Sequence, residues 1–229
     1  YDIQAIIRRY IAENCLYGVD IDETAVKITR AAIEKAALDG LSGESCIGNN
    51  LRRGNTLMGK GNPHWSKPNF GSDKTRISLD LTNDFFDWPA EFPEIFCGRG
   101  GFDVIVGNPP YEILSIKESG ISSRREEQAY LRRVFSTCQG KLNTYRLMLE
   151  RGLELLKDGG ALGFIVPATL LADSSAEKIR RLLLDNSTIT DLIVLPERAQ
   201  IFKSVTQALL ILILQKKGKT QRFRLIFWD

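Results

Sequence analysis

One stretch restricts the possible architectures more than any other: Phe102-Asp103-Val104-Ile105-Val106-Gly107-Asn108-Pro109-Pro110-Tyr111-Glu112. Phe102 to Val106 is a short, largely apolar run, and the pattern predicts a buried strand. Gly107 ends it. The two prolines fix φ near −65° and remove two backbone donors, so the turn offers carbonyl oxygens without competing N–H groups. In an open α/β sheet, ligands bind beyond the carboxyl ends of the strands, which is where this turn falls. An amide oxygen (Asn108), a bare carbonyl (Pro109) and an aromatic ring (Tyr111) on one rigid turn suit a planar substrate that carries an amino group. The oxygens can accept its two N–H groups while the ring stacks on its plane. A plain proline-rich turn after a core strand fits the same residues.

The rest of the chain alternates helix and strand patterns, which predicts an α/β fold. Apolar residues at Ile3, Ile6, Ile7, Tyr10 and Ile11 have helical spacing over 2–13. Cys15 to Asp20 reads as a strand ending in an acid, and Thr24 to Leu38 as a helix behind an Asp22 N-cap, with Gly40 as its stop. A strand, a terminal acid and a helix form the unit whose acid bonds ribose hydroxyls, although Asp20 could equally cap its own turn. A further strand is expected near Asn50–Gly54. The interval 60–101 is irregular, but its aromatics (Phe85-Phe86-Asp87-Trp88-Pro89 and Phe92-Pro93) predict a packed connector and not a flexible linker. Ile113–Ser123 reads as a loop and Glu126–Thr137 as a helix flanked by Arg124, Arg125, Arg132 and Arg133. A second helix is expected from Lys141 to Lys157, stopped by Asp158-Gly159-Gly160, and Ala161–Pro167 as the next buried strand. Ala176–Leu184 should be helical. Strands are expected at Ile189–Leu195, Gln207–Gln215 and Arg222–Asp229.

Bulk properties narrow the function classes. The 229 residues suffice for one sizeable core, perhaps two domains. The net charge of +3 permits a nucleic-acid partner without requiring one. No apolar run reaches the ~18 residues of a membrane span. Cys15, Cys46, Cys97 and Cys138 form no C-x-x-C pair, which favours reduced thiols in a cytoplasmic protein over zinc or disulfides. His64 is the only histidine, so a His-based triad or a multi-His metal site is unsupported, and no metal is expected.

The stretch around Asn108 resembles motif IV of the amino-methyltransferases, which use S-adenosylmethionine to methylate exocyclic or amide nitrogens. Asn-Pro-Pro-Tyr is shared by adenine-N6 DNA methyltransferases, some RNA enzymes and protein glutamine methyltransferases. Other blocks favour the first. Tyr17–Asp22 is similar to motif II of the DNA adenine methyltransferases, Gly54-Asn55-Thr56-Leu57 to motif III, Lys141–Thr169 to motifs V and VI, and Phe202–Gln215 to motif VIII. The chain is thus identified as resembling the gamma-class adenine-N6 DNA methyltransferase part of type IIG restriction-modification enzymes, across nearly its whole length.

That resemblance implies a Rossmann-like S-adenosylmethionine-dependent methyltransferase sheet with helices on both faces, incomplete at its N-terminus. It implies a catalytic group of Asn108, Pro109, Pro110 and Tyr111. Asp20 corresponds to the residue on the cofactor ribose. Ile21, Asn55, Thr56 and Met148 correspond to the cofactor's adenine pocket, with Asn55 standing where the family usually has Asp. Phe202 corresponds to the ring that stacks on the flipped base opposite Tyr111. The implied partner is double-stranded DNA with a flipped adenine. Motifs X and I are expected before residue 1, and a target-recognition domain, with a possible nuclease domain, elsewhere in a longer parent. On that expectation the isolated 229 residues form an inactive methyltransferase fragment that binds S-adenosylmethionine weakly or not at all. The alternatives are a protein glutamine or RNA amino-methyltransferase, or a non-catalytic DNA-binding or scaffold fragment.

Overall fold

The structure is a computed structural model that describes residues 3–38, 50–61, 85–114, 121–199, 201–202 and 206–228. His64 and Cys46 lie outside the described residues. The chain divides into two compact units, one comprising Tyr1–Gly59 with Asp84–Phe86, the other Lys60–Asn83 with Asp87–Asp229. Among the described residues no helix is long and apolar enough to cross a membrane.

The first unit holds helix α1 (Ile3–Asn14), strand β1 (Gly18–Asp20), helix α2 (Glu23–Leu38) and strand β2 (Leu51–Arg53). β1 and β2 pair in parallel, with Gly18 opposite Leu51 and Asp20 opposite Arg53. Asp22 begins α2 as its sequence suggests, its carboxylate accepting the Thr24 N–H at 2.8 Å. The core of this unit is small: Ala12, Val26, Ala37 and Leu51. Past β2 the chain bends back against Phe86. Gly59 has φ +117°, and a Cβ there would collide with the Phe86 backbone.

The second unit is larger. Its short helices α3 (Trp88–Glu91) and α4 (Pro93–Phe96) lead into strand β3 (Phe102–Gly107). Trp88, Phe92 and Phe96 meet the Phe102 ring edge-on, with centroids 5.9, 6.3 and 5.5 Å away. The described part of the connector is therefore packed, as its aromatics required. Helices α5 (Ile121–Val134) and α6 (Thr144–Leu155), strand β4 (Leu156–Pro167), helix α7 (Glu177–Asn186) and strands β5 (Thr188–Leu195), β6 (Leu209–Gln215) and β7 (Arg224–Phe227) complete it. The sheet order is β3-β4-β6-β5-β7. β6 runs antiparallel to both its neighbours, whereas β3 is parallel to β4 and β7 to β5.

Register sorts the side chains into two faces. Ile105, Leu162 and Leu214 align across the sheet, as do Phe164, Leu212 and Leu192. This face packs with Tyr145, Leu149 and Leu153 of α6 and Ile179, Leu182 and Leu183 of α7 in one core. At about 25 cal/mol per Å² of apolar surface, that burial dominates the unit's stability. The opposite face carries Val104 and Val106, 61% and 78% exposed. The expectation of a buried strand at Phe102–Val106 is thus corrected. Among the described residues β3 is the edge strand of this sheet, and α6 and α7 pack on its Ile105 side.

A second correction concerns the end of α6. The expected helix to Lys157 stops at Leu155, and Leu156 already pairs with Phe102. Sheet pairing captures these residues before Asp158-Gly159-Gly160 can act as a stop. Gly159 (φ +80°) instead turns an excursion within β4, between the pairs Phe102↔Leu156 and Val104↔Ala161. Lys157 forms an ion pair with Asp103 of β3, and the Lys216 ammonium donates to the Leu156 carbonyl at 2.6 Å.

Candidate functional site

The site is described as two sets of residues, one in each unit. In the second unit, β3 delivers Asn108-Pro109-Pro110-Tyr111 to the carboxyl end of the parallel pair β3–β4. Asn108 and Pro110 are exposed, Pro109 is buried and Tyr111 is partly buried against the main core. The Tyr111 hydroxyl lies 2.6 Å from Asn108 Oδ1, to which it donates, and 3.2 Å from the Ile165 carbonyl of β4. Burial raises the Tyr111 pKa above its ordinary value, so the hydroxyl keeps its proton near neutral pH. One lone pair of the Asn108 oxygen is therefore occupied within the loop, and the second remains geometrically available to another donor.

The far side of the turn is anchored to α6. Thr144, at the first helical position, donates its hydroxyl to the Pro110 carbonyl at 2.6 Å, with the Glu112 carbonyl at 3.1 Å. Its backbone N–H donates to the Glu112 carbonyl at 3.0 Å, and Leu114 N–H to the Leu142 carbonyl at 2.9 Å. Ile113 and Asn143 form an antiparallel bridge between these contacts.

α6 is buried on nearly every side, so its polar residues need partners inside the protein. Glu150 accepts from the N–H and hydroxyl groups of both Ser136 and Thr137, at 2.6 to 3.0 Å, fixing the turn after α5. Arg146 donates to Asp173 at 2.7 Å and to the Ser175 hydroxyl at 2.8 Å, tying down the loop after β4. Arg151 pairs with Glu154 at 2.8 Å and lies over the Phe135 ring. Hydrogen bonds from Ser175, then the Arg146 guanidinium, hold the Asp173 carboxyl below the usual range.

Met148, one turn beyond Thr144, is half-buried beside the core. Phe202 lies in the β5–β6 connection, at the same end of the sheet as Tyr111, where it lines a small cavity with Leu195, Pro196 and Leu209. Arg125 and Arg133 are exposed, and Arg132 donates to the Gly140 carbonyl at 2.9 Å. The Arg124 side chain lies outside the described residues.

In the first unit Asp20 ends β1 with an exposed carboxylate, one oxygen of which accepts the Asp22 N–H at 2.8 Å. Ile21 beside it is 55% exposed, a large apolar side chain at a strand end. Asn55 Oδ1 accepts the Leu57 N–H at 3.1 Å, so Asn55 caps its own turn while retaining a second acceptor site. Thr56 follows in that turn. Sequence reasoning missed the roles of Thr144, Glu150 and Arg146. A hydroxyl residue directly after an Asn N-cap was the one available sign for the first, and polar residues inside an otherwise apolar helix for the others.

The described folds match known proteins. The chain is similar to the restriction-modification enzyme DrdV in its DNA complex, at TM-score 0.62 and 15% identity over 96% of this chain and 22% of that one. It is also similar to the Type ISP restriction-modification enzyme LlaBIII bound to DNA, at TM-score 0.61 and 14% identity over 95% of this chain and 15% of that one. These likenesses establish the fold. By sequence it is 28% identical, over 95% of its length, to the Escherichia coli "Type II restriction enzyme and methyltransferase RM.Eco57I", of which it spans 20%. A shorter segment, 36% of this chain and 19% of that protein, is 39% identical to the Type II methyltransferase M.TthHB8I of Thermus thermophilus. The Eco57I restriction-modification methylase family matches residues 14–202, from the end of α1 to Phe202. The chain belongs to that family.

Proposed function

We propose that this chain is the methyl-transferring part of a site-specific restriction-modification enzyme, acting on the N6 amino group of an adenine flipped out of double-stranded DNA. The observation that carries the reading is the Asn108–Tyr111 turn: an exposed amide oxygen beside a Pro-Pro pair, held rigidly at the carboxyl end of β3. The likeness to restriction-modification methyltransferases supports DNA as the substrate over RNA or protein.

The adenine amino group is a poor nucleophile because its lone pair is delocalised into the ring. Extrusion of the base from the duplex costs a few kcal/mol. Asn108 Oδ1 and the Pro109 carbonyl then accept its two N–H groups and favour a nitrogen whose lone pair points away from the ring plane. Fixed dipoles of this kind stabilise positive charge developing on nitrogen, as an oxyanion hole stabilises negative charge. Tyr111 and Phe202 stack on the base.

S-adenosylmethionine supplies an activated methyl group when bound. The first unit's residues fit its nucleoside part: the exposed Asp20 carboxylate suits ribose hydroxyls, and the exposed Ile21 side chain a flat apolar ring. Asn55 offers an acceptor for an adenine amino group, with Thr56 beside it in the same turn; in the second unit, the Met148 thioether is of a type that suits an apolar ring.

Replacement of Asn108 by alanine in the full-length protein tests the reading. N6-methyladenine formation in DNA should fall by at least ~100-fold, because the acceptor acts mainly at the transition state. Cofactor affinity should stay near the wild-type value. Near-normal methyl incorporation by Asn108→Ala, or label appearing in RNA or protein in place of DNA, would overturn it.

A further inference from the structure

The geometry points to Thr144 as a positioning residue whose hydroxyl sets the direction of the Asn108–Tyr111 turn. The inference rests on the adenine-methylation reading for its kinetic consequence, though not for its structural one. The two prolines fix φ at 109 and 110 but leave the rotation of the Pro110–Tyr111 peptide plane free. That rotation decides where the Tyr111 side chain points. Thr144 is the group that grips this plane: its hydroxyl is 2.6 Å from the Pro110 carbonyl, while its own N–H takes the Glu112 carbonyl at 3.0 Å. Tyr111 thus lies between two carbonyls held by one residue. The residue is 6% exposed, so water competes little for either contact.

Its placement argues against a mere helix cap. Thr144 follows the N-cap residue Asn143, whose side chain makes no capping hydrogen bond. The Thr144 hydroxyl reaches outward to the loop, across 34 residues of sequence.

The test compares Thr144→Val, an isosteric change that deletes only the hydroxyl, with Thr144→Ser, which keeps it. In the full-length protein, Thr144→Val should lower kcat for adenine methylation by about tenfold or more, the scale of one lost buried hydrogen bond. Its KM for DNA and its cofactor affinity should change less than about threefold, while Thr144→Ser recovers most of kcat. Amide hydrogen exchange at Tyr111, Glu112 and Leu114 should quicken in Thr144→Val alone, a readout that needs no turnover. If the wild-type protein methylates no adenine, the proposed function fails and the exchange result still decides the role of Thr144. Unchanged kcat with unchanged exchange in Thr144→Val, or equal loss in the Val and Ser variants, would overturn the inference. Should the Val variant fail to fold, Thr144→Ser with wild-type exchange at these amides supports the clamp, and quickened exchange there refutes it.

Discussion

At the residue scale, Tyr111 serves two purposes that can be separated. On the proposed function its ring stacks on the base, and its hydroxyl donates to Asn108 Oδ1 at 2.6 Å. Tyr111→Phe keeps the ring and frees the Asn108 oxygen, whereas Tyr111→Ala removes both. Stacking on a base is worth ~1–3 kcal/mol. Tyr111→Ala should therefore lose about 10- to 100-fold in kcat/KM for DNA methylation. Tyr111→Phe should remain within about tenfold of wild type. Steady-state kinetics with a labelled methyl donor distinguishes them, and equal losses would shift the weight from the ring to the hydroxyl. The tetrapeptide could be read from sequence because its chemistry is local: two prolines and a preceding glycine define a turn without tertiary help. The Tyr111–Asn108 contact could not, since it depends on β4 placing the Ile165 carbonyl beside the same hydroxyl.

At the scale of elements, α6 organises the second unit. It packs on the sheet through Leu149 and Leu153, holds the Asn108–Tyr111 turn through Thr144 and holds the turn after α5 through Glu150. Glu150→Ala would leave the N–H groups of Ser136 and Thr137 without their acceptor in a buried setting. A loss of about 3 kcal/mol in the unfolding free energy is expected, since charge-assisted bonds and orphaned donors each count for 1–3 kcal/mol. Urea unfolding followed by circular dichroism measures it, and a change below ~0.5 kcal/mol would mean that water replaces the carboxylate. Most elements were legible in the sequence. α2, expected at Thr24–Leu38, spans Glu23–Leu38, and β5, expected at Ile189–Leu195, spans Thr188–Leu195. Two of the departures share a cause, whereas α5, expected at Glu126–Thr137 after a loop to Ser123, begins earlier, at Ile121. Where α6 meets β4, and where β3 was expected to be buried, pairing partners and covering helices decide the outcome, and neither is written in the local pattern.

At the scale of the molecule, charge gives the second unit a defined acid limit. Asp103 is held below the usual carboxylate range by Lys157, Asp173 by Ser175 and Arg146, and Asp191 by Arg224. Each folded-state value lies below the unfolded one, so the native state binds fewer protons. The stabilisation is fully present above about pH 4 and is lost as pH falls through the depressed folded values. Thermal unfolding monitored from pH 6 to 2.5 should show a nearly constant midpoint that then declines below about pH 4. A combined Asp173→Asn and Asp191→Asn variant should show a shallower decline, and an unchanged slope would remove these pairs from the account. The family assignment spans the boundary between the two units, with Asp20, Ile21, Asn55 and Thr56 in one and Asn108–Tyr111, Met148 and Phe202 in the other. Asp20 and Asn108 stand out in the sequence because each sits at a strand end, where a change from apolar to polar residues is abrupt, whereas Met148 inside α6 and Phe202 in the β5–β6 connection carry no such local mark.

The exposed edge of β3 has a consequence for handling the protein. Val104-Ile105-Val106 is a β-branched run on a strand that has no pairing partner on its outer side among the described residues, the type of segment that recruits further strands when left uncovered. Its neighbours act as gatekeepers: Asp103 places a charge at one end, and Pro109-Pro110, which cannot donate to a growing ladder, close the other. The same proline pair that, on the proposed function, frees carbonyls for chemistry thus confines the sticky window to a few residues, and a substitution made there to probe catalysis alters solubility as well.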